Sequence, residues 1–70
     1  MMDVSTLHNL LLDHGISTVV SKDKVEFIVE IDEYRLVEVR KYKYYSSRND
    51  AWFYGAINIL KNLTKYLEKK

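Results

Sequence analysis

Seventy residues, 47% of them apolar and 30% charged, describe one small globular domain and exclude a disordered tail. The chain has no cysteine, which excludes a disulfide framework and a cysteine-ligated zinc, and makes a reducing, cytoplasmic setting the default. The opening MMDVST has no basic region followed by an apolar run, and the longest apolar run nearby is Leu10-Leu11-Leu12, so neither a signal peptide nor a membrane span is expected.

The net charge of +1 conceals a strong asymmetry. Residues 1–34 hold seven acidic and two basic side chains, a balance of −5. Residues 35–70 hold nine basic and three acidic ones, a balance of +6. Such a division points to an electrostatically chosen partner, to self-complementary assembly, or to pairing of acidic with basic strands inside one sheet.

Asp3 or Ser5 is placed to cap a first helix reaching about His14, with Val4, Leu7 and Leu11 at helical spacing. Gly15 stands where a helix needs a left-handed residue, and Ile16 can return onto Leu11 as in a Schellman stop. Thr18-Val19-Val20 reads as a short strand and Ser21-Lys22-Asp23-Lys24 as a polar turn. Val25, Phe27, Val29 and Ile31 alternate with Glu26, Ile28 and Glu30, the period of a half-buried strand.

Asp32-Glu33-Tyr34 is read as a three-residue loop. It sets Val37 opposite Val29, Val39 opposite Phe27 and Arg40 opposite Glu26, matching apolar with apolar and charge with opposite charge. A two-residue loop would set Glu38 against Phe27. The third strand then continues as the basic, tyrosine-rich run Arg40-Lys41-Tyr42-Lys43-Tyr44-Tyr45. Ser47 and Asp50 resemble a capping box opening a helix over about 50–69. Its stripe is Trp52, Ala56, Ile59, Leu60, Leu63 and Leu67, with Tyr54, Asn58, Lys61 and Lys65 opposite. Phe53 and Ile57 widen the apolar arc toward flank packing or a partner. The expected fold is α+β: helix, three-stranded antiparallel meander, helix, with both helices on one face of the sheet.

No constellation carries catalysis. His8 and His14 lie six apart and cannot grip one metal as an i, i+4 pair does. Ser5 and His8 have no positioned acid, and neither glycine has a second one near it to cradle phosphate. Glu26, Glu30 and Glu38 on one sheet face are explained by pairing with Arg35 and Arg40. No enzyme activity and no cofactor are expected.

The candidate site is the basic, aromatic segment Arg40, Lys41, Tyr42, Lys43, Tyr44, Tyr45 and Arg48, extended by Lys61 and Lys65. Lysine and arginine neutralise phosphates and release counterions, while tyrosine offers a flat face and a hydroxyl. The same pattern also serves a solvated edge strand protected from aggregation by lysines.

The element order, and Ser47-Arg48-Asn49-Asp50-Ala51-Trp52 followed by Ala56, Leu60 and Leu63, resemble the double-stranded-RNA-binding domain. In that family the last helix opens on a lysine-rich motif. Here Arg48 matches a basic position, while Asn49 and Trp52 replace lysines. The family's Gly-Pro-x-His-like loop gives way to Ser21-Lys22-Asp23-Lys24. The resemblance implies an αβββα fold and a duplex-RNA partner read by shape and phosphates. Two partner classes follow: nucleic acid, as duplex RNA or DNA, or a host protein bound by a small inhibitor or adaptor of the phage or mobile-element type. A homodimer through the edge strand, or through Phe53 and Ile57, is compatible with either.

Overall fold

A computed structural model describes residues 3–69; Met1, Met2 and Lys70, the last counted in the basic half, lie outside the described residues. The order is α1 (Val4–Asp13), β1 (Ser17–Val20), β2 (Lys24–Ile31), β3 (Tyr34–Lys41), one 3-10 turn (Tyr42–Tyr44) and α2 (Arg48–Glu68). The strands form one antiparallel sheet in the order β1-β2-β3. Leu7 and Leu11 of α1, Val25, Phe27 and Val29 of β2, and Trp52, Ala56, Ile59 and Leu63 of α2 share one buried cluster with Ile16. Both helices therefore cover the face of the sheet that carries Phe27. This is the expected αβββα arrangement.

The first helix begins and ends on local chemistry. The Asp3 carboxylate accepts from the Thr6 backbone N–H at 2.8 Å. That bond holds the Asp3 carboxyl below its ordinary range. The cap therefore contributes fully above the usual aspartate pKa and is lost as pH falls through the lowered one. At the other end the Gly15 N–H donates to Leu12 O at 2.9 Å and the Ile16 N–H to Leu11 O at 2.9 Å, with Gly15 at φ +76°. This is the Schellman stop, and its apolar partners Ile16 and Leu11 are fully buried. A β-carbon at Gly15 would meet nothing within 4 Å, so Gly15→Ala isolates the cost of the left-handed backbone. The expected loss is about 1–2 kcal/mol, read from urea denaturation.

The hairpin departs from the expected register. Asp32 and Glu33 form a two-residue loop, and Ile31 pairs with Tyr34, Val29 with Leu36, Phe27 with Glu38 and Val25 with Arg40. Asp32 takes φ +56°, a left-handed conformation that aspartate tolerates better than most residues. The helix-facing side of β3 is thus Tyr34, Leu36, Glu38 and Arg40, and the outer side is Arg35, Val37, Val39 and Lys41. The reason lies in what each side brings. The even positions bring Tyr34, which stacks on Tyr66 of α2 at 5.0 Å, and Leu36, which packs against the core. Their two charges, Glu38 and Arg40, neutralise each other two residues apart, with Arg40 Nη2 2.6 Å from Glu38 Oε2. The odd positions would bury Arg35 and Lys41 with no carboxylate between them on the strand.

The grouping of Glu26, Glu30 and Glu38 on one face is corrected for the same reason. Glu26 bonds Lys24 at 3.2 Å and Glu30 lies 3.9 Å from Arg35 on the outer face, while Glu38 lies beneath α2.

The second helix starts at Arg48, two residues earlier than expected, with the Ser47 hydroxyl accepting from the Asp50 N–H at 3.2 Å. Its buried stripe is Ala51, Trp52, Gly55, Ala56, Ile59 and Leu63, whereas Leu67, expected in the stripe, is exposed. Gly55 is the point of closest approach. A β-carbon there would collide with Phe27 Cε2 and lie 3.0 Å from Arg40 Cγ.

Candidate functional site

The tyrosine-rich run does not continue as strand. Beyond Lys41 the chain closes a 3-10 turn, with the Tyr45 N–H donating to Tyr42 O at 3.0 Å. The cause is the inward pull on Tyr42, which packs against the core and carries the Arg48 guanidinium over its ring at 5.1 Å. Tyr45 is half-buried, its ring 5.7 Å from that of Tyr54. Tyr44 alone of the three faces solvent, at 72% exposure, with Lys43 Nζ 5.1 Å above its ring.

The nine predicted site residues therefore separate. Arg40 points under α2 and is held by Glu38, leaving its Nε without a partner. Lys61 and Lys65 are exposed on α2 but lie roughly 20 and 26 Å along its axis from Arg48. Lys41, Lys43 and Arg48 stay together, with Tyr44 between them in sequence. Tyr42 and Tyr45 serve as the packed floor of that group.

Lys22 and Lys24, which the spacing of basic residues does not connect with this group, join it through the fold. The Tyr42 N–H donates to Asp23 O at 2.9 Å, which ties the 3-10 turn to the β1–β2 turn. Lys24 pairs directly opposite Lys41 on the outer face, and Asp23, Lys41, Tyr42 and Lys43 line a small cleft of about 260 Å³. Lys22 of that turn is exposed beside them in sequence. An antiparallel meander makes this unavoidable: the first turn and the exit of the third strand lie at the same end of the sheet. The signal is present in the element order alone.

Like charges placed directly opposite on a sheet repel. Lys24 is relieved by Glu26, its neighbour on the outer face, whereas among the described residues no acidic side chain forms an ion pair with Lys41, Lys43 or Arg48. The end of the domain thus carries an exposed ring and a cluster of cations whose mutual repulsion a bound anion lowers.

The two histidines are structural neighbours of other groups. His8 Nδ1 lies 2.7 Å from Thr18 Oγ1 and its ring stands edge-on to Trp52 at 6.2 Å. His14 Nδ1 lies 2.9 Å from Leu10 O at the end of α1. Among the described residues no helix is long and apolar enough to cross a membrane. Compared with known protein families, curated proteins and solved structures, the chain matches none.

Proposed function

We propose that the protein is a non-catalytic module that holds a nucleic-acid backbone at the end of the sheet formed by the β1–β2 turn, the exit of β3 and the start of α2. The observation that carries this reading is that Lys43 lies over the exposed ring of Tyr44, Arg48 over Tyr42 and Lys41 beside both, at the end of the sheet to which the Lys22–Asp23 turn is tied. Cations so placed neutralise phosphates and release their counterions, and the ring adds a stacking face or a hydroxyl to a sugar-phosphate chain. The resemblance to the double-stranded-RNA-binding domain makes duplex RNA the first ligand to test. In that family too the first turn and the start of the last helix carry characteristic motifs, and here these two segments lie at one end.

Fluorescence anisotropy with duplex RNA, duplex DNA and a single strand, each at two or more salt concentrations, tests the reading. Four phosphate contacts give a slope of log K against log salt of about −3 to −4. Charge reversal by Lys41→Glu with Lys43→Glu removes two of them and flattens the slope by about 2. Replacing the covered pair together, Glu38→Leu with Arg40→Met, leaves the affinity unchanged, because the Arg40 head is held by Glu38 and the double variant keeps the fold. Absence of binding even at low salt would overturn the proposal and direct the search to a protein partner, as expected of a small inhibitor or adaptor.

A further inference from the structure

The two edges of the sheet differ in what guards them. The edge strand β3 carries Arg35, Glu38, Arg40 and Lys41, and charges of this kind keep an open edge from pairing. The edge strand β1 with the residue after it reads Ser17-Thr18-Val19-Val20-Ser21, without charge, glycine or proline, and Val19 and Val20 are 52 and 56% exposed. The ladder fixes which of its backbone groups are open. The Ser21 N–H donates to Lys24 O at 3.0 Å, so that pair is hydrogen-bonded, and bonded and non-bonded pairs alternate along an antiparallel ladder. Thr18 and Val20, opposite Phe27 and Val25, fall at the non-bonded positions and turn their N–H and C=O groups outward. Above them, Ser5, His8 and Asn9 of α1 line an open cleft of about 530 Å³ together with Thr18 and Val20, so α1 leaves this edge accessible.

We propose that β1 pairs with β1 of a second copy of the chain, antiparallel about a two-fold axis at Val19, joining the two three-stranded sheets into one. The strand is its own complement in this register. Ser17 faces Ser21 of the second copy, Thr18 faces Val20, a β-branched side chain of the same shape, and Val19 faces its own counterpart. Both outward residues then find partners, Thr18 and Val20 of one copy exchanging N–H···O bonds with Val20 and Thr18 of the other. The neighbouring registers do not achieve this. An axis at Thr18 sets Val20 against Ile16, whose N–H is already donated to Leu11 O. An axis at Val20 sets Thr18 against Lys22, inside the β1–β2 turn. Strands of four residues bury less than a standard stable interface, so the dimer is micromolar or weaker. The paired run carries no charge for salt to screen.

This inference does not rest on the nucleic-acid reading, whose signature is affinity lost with salt. Sedimentation equilibrium from about 20 μM to about 2 mM is expected to show a monomer–dimer equilibrium that persists in high salt. Val20→Pro removes an N–H that β2 does not use, so the fold read by circular dichroism stays while association falls roughly tenfold or more. The axis is read by thiol coupling, since the chain has no cysteine. Facing residues at a non-bonded antiparallel position hold their Cα atoms about 4.5 Å apart, within the reach of a disulfide. Val19→Cys chains therefore link to one another in a glutathione redox buffer. Val37→Cys, at a site of similar exposure on the outer side of β3, links only at the rate of chance collision. A monomer at every concentration, a dimer that survives Val20→Pro in a folded chain, or Val37→Cys chains that link as readily as Val19→Cys chains would overturn the proposal.

Discussion

Gly55→Ala is expected to lower the melting temperature by roughly 8–16 °C, although alanine is the better helix former. On an exposed helix face the substitution gains about 1 kcal/mol. Here the new methyl group enters space already filled by the edge of the Phe27 ring and the Arg40 stem. Phe27 has no accessible surface and stands edge-on to Trp52 at 5.6 Å, so it has nowhere to retreat. Arg40 is the more flexible neighbour, but its head is held by Glu38. Overpacking of this kind costs about 1–3 kcal/mol and at a locked ring the upper part of that range or beyond, which leaves a net loss near 2 kcal/mol. Thermal unfolding followed by circular dichroism measures it, with Asn62→Ala on the exposed side of the same helix as the control that holds or gains stability. A Gly55→Ala protein as stable as its parent would mean that α2 does not approach β2 this closely.

Removing one member of the ion pair under α2 produces the second large effect. The Glu38 side chain is 11% exposed and that of Arg40 is 26% exposed, so neither charge is well hydrated. Glu38→Ala leaves the guanidinium covered, with its Nε already unpartnered, at an expected cost of about 2–4 kcal/mol. A core of this size supplies only about 3–5 kcal/mol in all, so the single variant sits near its unfolding midpoint in water. Replacing both members, Glu38→Leu with Arg40→Met, is expected to be neutral or stabilising, because two desolvated charges are exchanged for packing. A double-mutant cycle in urea reads the coupling directly. Single and double variants of equal, small effect would show that water reaches the pair.

The elements legible in the sequence are those decided by neighbours in the chain. Asp3, Gly15 and Ile16 define both ends of α1 within a few residues. The alternation of Val25, Phe27 and Val29 with Lys24, Glu26 and Glu30 leaves β2 one possible inner face. The third strand is not decided in this way, because both of its faces hold apolar residues and two charges. Matching valine to valine across the hairpin selects the wrong one. The decisive facts are the Glu38-x-Arg40 spacing, which neutralises two charges on one face, and a glycine in the middle of α2, which makes room for them. Both are visible in the sequence, but only as a pair across about fifteen residues. The basic end is legible as a set of residue types and not as a place. Arg40 leaves it by strand parity, Lys61 and Lys65 by helix length, and Lys22 and Lys24 enter it by topology.

The Asp32–Glu33 loop decides which half of β3 becomes interior. Drawing Tyr34 into the loop would turn the strand over and bring Val37 opposite Val29 and Val39 opposite Phe27, while Glu38 and Arg40 would come to the surface. The same eight residues thus encode two molecules with different exteriors, and the loop length alone chooses between them. Elsewhere on a protein surface a one-residue insertion is among the mildest changes a lineage can accumulate. In this hairpin an added residue is mild only if the loop absorbs it; with the loop held at two residues, Tyr34 would move opposite Glu30 and Val37 opposite Phe27, exchanging what the chain hides for what it presents.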